Sequence, residues 1–317
     1  MRALVTGATG FVGARLARLL RERGDEVRCL LRDPDGPRAR ALAAEGFEIH
    51  VGDVLRPDSL AGAGEDVDVA FYLVHSMGRG HHGDFAARER RAARGFARLV
   101  AAEGVDRVVY LGGLGDQPES RHLRSRHETA LQLRAAGPPL TYLRAGMIVG
   151  SGSESYRTLR YLVERLPAMI APAWLNTMTQ PIGIDDVLGY LSLAARSDDT
   201  AGAELQIGGP DVLSYGEMLD QMALALGRRP RPKIPVPFLT PRLSSLWVGL
   251  VTPVDAGVAR PLIEGLSTET VVTDDSARRM FDLEPAPFEQ TLRAALAEDG
   301  VVAAPAQTPP LVVEPRS

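Results

Sequence analysis

The segment Val5-Thr6-Gly7-Ala8-Thr9-Gly10-Phe11-Val12-Gly13 decides how this chain is read. A short β-type run, Ala3–Thr6, ends in it, and a stretch with apolar residues at three- and four-residue spacing (Val12, Leu16, Leu19, Leu20) leaves it. Spaced glycines between a strand and a helix make a phosphate cradle. Gly7 permits the tight turn, Gly10 lets the main chain approach a pyrophosphate, and Gly13 lets helix and sheet pack closely. The helix opening near Phe11 offers unpaired N–H groups and the positive end of its dipole to the phosphates. Gly7, Thr9, Gly10, Phe11 and Val12 are therefore the first expected contacts of a dinucleotide cofactor.

The same alternation continues outward. Strand-type runs at Glu26–Leu31, Glu48–Val51, Val69–Leu73, Arg107–Leu111 and Thr141–Arg144 are separated by helical stretches. These stretches are Phe11–Arg23, Arg38–Glu45, Asp84–Glu103 and Ser125–Ala136, with a short turn at Pro57–Leu60. Short strands alternating with helices predict an α/β fold, a doubly wound parallel sheet covered on both faces. The second half is less regular. Helices are expected at Ser153–Leu166, Asp185–Arg196, Tyr215–Leu226, Pro241–Leu250, Asp255–Glu264, Asp274–Phe281 and Pro287–Glu298. Short strands are expected at Gln180–Ile182, Glu204–Ile207 and Thr270–Val272. This gives a dinucleotide domain over 1–150, an interleaved, smaller, mostly helical substrate or lid region over 151–302, and a disordered tail over 303–317 that carries four prolines.

The end of the second strand addresses the adenosine ribose. An acidic residue there suits the 2′-hydroxyl of NAD, and an arginine suits the 2′-phosphate of NADP. Here an apolar residue, Leu31, is followed by Arg32 and Asp33. Arg32 points to NADP(H); Asp33 keeps NAD(H) as the alternative. Asp53 and Val54, after the third strand, are placed at the adenine edge, with a turn-capping aspartate as the other reading.

Composition narrows the rest. The 317 residues are 45% hydrophobic and 24% charged with net charge −4, which suits a globular protein and gives no reason to expect nucleic acid. Lys233 is the only lysine among 36 cationic residues, so a mechanism that needs a lysine has no other. Cys29 is the single cysteine and sits in an apolar run, as a core residue does. No run approaches the ~20 apolar residues of a membrane span, and the start lacks a leader pattern. The expectation is a soluble, cytoplasmic chain acting on a small molecule. A homodimer or protein partner stays open.

Taken together, TGATGFVG, Gly52-Asp53-Val54, the run from Ala70 to Met77, LRAGMIVG and IGIDDV resemble the atypical or extended short-chain dehydrogenase/reductase superfamily, from Met1 to about Gly209. Within it the chain is similar to NmrA-like and epimerase-like NAD(P)H-binding proteins. The resemblance implies a Rossmann sheet and a nicotinamide cofactor. It also implies contacts from Leu73, Val74 and His75 after the fourth strand, and from Ala145, Gly146 and Met147 after the sixth. The usual Tyr-x-x-x-Lys pair is absent. At its place stand His122, a candidate acid or base, and Arg126, a candidate ribose contact; the strand before them ends in Gly112 and Gly113 rather than a serine. By position Met77, Tyr156 and Gln180 face the substrate, and Arg160, Met169, Trp174 and Met178 join them. That mixture favours a small hydrophobic carbonyl, enone or quinone over a nucleotide sugar. His81, His82 and Asp84 lack a metal-ligand spacing, so no metal is expected. Three readings follow: an NADPH-dependent oxidoreductase, a non-catalytic NADP(H)-binding redox sensor, and an epimerase-like or assembly scaffold.

Overall fold

In the computed structural model, residues 1–74, 85–115, 121–236 and 268–302 are described. The helices expected at Pro241–Leu250 and Asp255–Glu264, and the tail from Ala303, lie outside these residues. Two compact units form, each from separate stretches of chain. The first comprises Met1–Gly113, Ser125–Arg144 and Leu188–Leu205. The second comprises the described parts of Leu114–Arg124, Ala145–Val187 and Gln206–Ser317.

The strands of the large sheet are β1 (Arg2–Thr6), β2 (Glu26–Leu31), β3 (Glu48–Val51), β4 (Val69–Tyr72), β5 (Arg107–Gly113), β6 (Leu140–Ala145) and, much later in the chain, β11 (Glu204–Ile207). Their order is β11-β6-β5-β4-β1-β2-β3, and the pairs β3–β2, β2–β1, β1–β4 and β4–β5 are parallel. Strands buried on both faces need no alternation, and β4 reads Val-Ala-Phe-Tyr with all four residues buried. The helices between them are α1 (Phe11–Glu22), α2 (Pro37–Ala44), α3 (Phe85–Ala102) and α4 (Arg121–Ala136). On one face Leu4, Ala70, Tyr72, Phe96, Val108, Tyr110, Leu133 and Tyr142 form one core cluster. After β3 the chain returns across β1 to lay down β4, so the winding direction reverses between β1 and β4. Loops that leave two such strands diverge, and the crevice at their C-terminal ends is where this fold binds ligands.

In the second unit the strands are short. β7 (Ile148–Val149) pairs in parallel with β10 (Ile182–Gly183), β8 (Met169–Ala171) with β13 (Lys233–Pro235), and β9 (Met178–Thr179) runs antiparallel to β12 (Leu213–Ser214). The helices are α5 (Glu154–Arg165), α6 (Ile184–Ala194, which runs from this unit into the first), α7 (Tyr215–Ala225), α8 (Ser276–Met280) and α9 (Phe288–Glu298). Serines open two of them: Ser153 accepts the Tyr156 N–H, and Ser214 forms a capping box with Glu217. Two expectations are corrected. Thr270–Val272 is a single bridge from Thr270 to Thr179, not a strand, and the expected strand Gln180–Ile182 begins only at Ile182.

Candidate cofactor site

Gly7 lies at φ +66°, which glycine adopts without strain. A Cβ there would also stand 2.8 Å from the Leu73 carbonyl oxygen. That close approach is fixed by Thr6, whose hydroxyl donates to the Phe71 carbonyl at 3.0 Å and accepts the Leu73 N–H at 2.9 Å. The tail of β4 is thus clamped against the turn. At Gly13 a Cβ would meet the Gly7 carbonyl oxygen at 2.3 Å. Gly10 donates its N–H to that carbonyl at 2.8 Å and opens α1 with no side-chain cap and no acidic residue in the first turn. Backbone donors left open at an uncapped helix start suit an anion. These residues fit the diphosphate of a dinucleotide.

At the end of β2, Arg32 is exposed and makes no hydrogen bond or ion pair among the described residues. Asp33 instead accepts the Asp35 N–H at 3.0 Å, so one carboxylate oxygen holds a local turn. A second cation went unread in the sequence. Arg38, in the first turn of α2, donates to the Thr9 carbonyl at 3.0 Å and so stands beside the glycine turn. The proline at the start of α2 was the available signal for its position. Asp53 accepts the Leu55 N–H at 3.0 Å, as a turn-capping aspartate does, and Val54 is buried in the core cluster.

Further along the sheet edge, Leu73 and Val74 are half-buried after β4. His75 and Met77 lie outside the described residues. His122 is in the first turn of α4, one turn before Arg126, and its side chain also lies outside them. Arg126 donates from Nη2 to the Leu111 carbonyl at the end of β5, 2.7 Å away. Beside it, buried Ser125 donates to the Glu89 carboxylate of α3. Cys29 is buried, and burial pushes its thiol up to about 12, so it is no nucleophile at neutral pH.

Two expected substrate contacts are corrected by the second unit. Tyr156 is fully buried in its core, and its hydroxyl is already committed, donating to Asp299 at 3.0 Å, so it offers no free polar group to a ligand. Gln180 has both ends of its amide committed, Nε2 to the Gly209 carbonyl at 2.6 Å and Oε1 to the Val272 N–H at 2.9 Å. Met169 and Trp174 are likewise core residues. Ala145 and Met147 are buried in this unit too, and Gly146 approaches Thr270 and Gln180 so closely that a Cβ would lie 3.2 Å from the Thr270 carbonyl oxygen.

A sheet that reverses at β1/β4 and a glycine turn built to hold a diphosphate define a dinucleotide-binding protein. The NAD(P)H-binding family model matches residues 7–160. The chain is 30% identical over 230 residues to an NAD(P)H azoreductase of Xenophilus azovorans, covering 71% of this chain and 74% of that protein. It is 25% identical over 302 residues to a mitochondrial NADH dehydrogenase [ubiquinone] 1 alpha subcomplex subunit 9 of Arabidopsis thaliana, covering 90% and 74%. The crystal structure of an NADPH-dependent quinone oxidoreductase from Escherichia coli, complexed with NADPH, superposes with a TM-score of 0.73 at 16% identity, covering 92% of this chain and 98% of that one. The chain belongs to the NAD(P)H-binding family. Its cofactor is NAD(P)H, and no helix among the described residues is long and apolar enough to cross a membrane.

Proposed function

We propose that this protein is an NADPH-dependent oxidoreductase that reduces a small, hydrophobic carbonyl, enone or quinone. The observation that carries the reading is the clamped glycine turn with the unpartnered Arg32 beside it. Reductases of azo compounds and quinones among its relatives support the class of chemistry. The bound nicotinamide supplies the hydride. Gly7, Thr9, Gly10, Phe11 and Val12 hold the diphosphate against the start of α1. Arg32, with Arg38 nearby, holds the 2′-phosphate. Leu73, Val74 and His75, with Ala145, Gly146 and Met147, are assigned to the nicotinamide end, and Met77 to the substrate. Arg126 orients the ribose and contributes a fixed positive charge. His122 delivers the proton, imidazole being a side chain that serves as general acid or base.

Arg32→Ala should raise the NADPH dissociation constant about 10- to 100-fold, the worth of a charge-assisted phosphate contact, and leave NADH within about three-fold. Calorimetry with both nucleotides checks this, and equal losses would sink the assignment. Purified protein should consume NADPH on addition of a quinone or enone panel, and His122→Ala should slow it about 100-fold. The missing Tyr-x-x-x-Lys pair favours one other reading, a non-catalytic NADP(H)-binding redox sensor. Tight NADPH binding without turnover across the panel would select it.

A further inference from the structure

Two polar groups are left over where β5 ends. Arg126 satisfies Nη2 on the Leu111 carbonyl, but its Nε is buried without a partner. Tyr142 of β6 reaches the adjoining residue. A Cβ on Gly112 would stand 2.4 Å from the Tyr142 ring at Cε2 and 2.7 Å from its hydroxyl oxygen. Tyr142 is 1% exposed, and its hydroxyl has no hydrogen-bond partner among the described residues. The ring is held in place by stacking on Tyr110, with centroids 5.1 Å apart and planes 19° apart. Tyr110 in turn donates its hydroxyl to the Arg126 carbonyl at 3.2 Å. Ring, guanidinium and glycine therefore form one assembly.

A buried donor left without a partner is costly, so Arg126 Nε–H calls for an acceptor, and the Tyr142 hydroxyl, which makes no hydrogen bond among the described residues, stands against the next residue of the strand as a second donor. Arg126 Nε–H can only donate. Burial raises the Tyr142 phenol against the opposing pull of the Arg126 charge, so it stays protonated and donates across the neutral range. The sequence leaves Gly112 as a position that lost its hydroxyl. The space is filled by a tyrosine that brings one from the neighbouring strand. We propose that Arg126 Nε–H and the Tyr142 hydroxyl form a two-donor site for a single acceptor oxygen, and that Gly112 carries no side chain so that the tyrosine ring can enter. The acceptor is either a hydroxyl of the nicotinamide ribose or the carbonyl oxygen of a substrate, which makes the inference rest on the oxidoreductase reading.

The test is Tyr142→Phe, with Gly112→Ala as the variant that displaces the ring without removing the phenol. Both are read in the full chain after thermal melting shows Tyr142→Phe within about 2 °C of wild type. If the cofactor supplies the oxygen, calorimetry with NADP⁺ gives a dissociation constant about ten-fold weaker in both variants. If the substrate supplies it, NADP⁺ binding is unchanged and kcat on a quinone falls about 100-fold with little change in KM, the loss expected of one donor that acts on developing charge. Tyr142→Phe that matches wild type in both measurements overturns the site. Wild-type protein that consumes no NADPH with any acceptor defeats the oxidoreductase reading instead, and the calorimetry then decides the two-donor site alone.

Discussion

Gly13→Ala should abolish NADPH binding, with no calorimetric signal at cofactor concentrations 1,000-fold above the wild-type dissociation constant, a loss of about 4 kcal/mol. The added methyl carbon would lie 2.3 Å from the Gly7 carbonyl oxygen and 2.8 Å from its carbon. Both are backbone atoms, and Gly7 is itself pinned against Leu73, so nothing flexible can give way. Helix α1 has to move off the turn. That movement carries the first-turn N–H groups away from the phosphates, and these donors have no side-chain cap to compensate. Overpacking of this kind also costs about 1–3 kcal/mol of folding stability, so the melting temperature should fall by a few degrees while circular dichroism stays native. Binding by Gly13→Ala within three-fold of wild type would show that the diphosphate does not rest on this turn.

That prediction rests on what was legible from the start. Each glycine of the turn had its own backbone reason, and the four- to seven-residue strands were long enough for their apolar runs to stand out between helices. From Arg2 to Ala145 the expected elements recur with ends shifted by a few residues. In the second half, strands of two or three residues such as Met178–Thr179 carry no periodicity that could reveal them. Side-chain roles failed for a related reason. Whether Tyr156 faces a ligand depends on Asp299, 143 residues later, and the Gln180 amide is taken up by Gly209 and Val272. Gly112 read alone is a lost hydroxyl; only the sheet register brings Tyr142 to it. Local sequence states what the backbone needs, while the partners of a polar side chain are chosen by the fold.

Asp186 shows the same dependence and carries the largest expected effect on stability. In the sequence it is one of the two aspartates in Ile-Gly-Ile-Asp-Asp-Val. In the structure it is 3% exposed. Its carboxylate accepts the Ala286 N–H at 3.1 Å and is also held by the Gly183 N–H, the residue just before α6. Two segments a hundred residues apart are joined through one side chain. Asp186→Ala leaves two buried donors unpaired and should cost about 3 kcal/mol, read as a shift in the urea midpoint. Burial, reinforced by Asp185 and opposed by the two N–H donors, pushes the Asp186 carboxyl up to about 6 from an ordinary value near 3.8. The folded state therefore holds this proton more tightly than the unfolded chain does. Its contribution is fully present below about pH 4 and is lost as pH rises through about 6, a change on the order of 3 kcal/mol. Asp186→Asn keeps an acceptor oxygen for Ala286 without the charge, so its stability should not share that decline between pH 5 and pH 7. A wild-type curve that falls no faster than the Asn variant over this window would mean that the buried carboxylate is already ionised at pH 5, and that the two N–H donors outweigh burial.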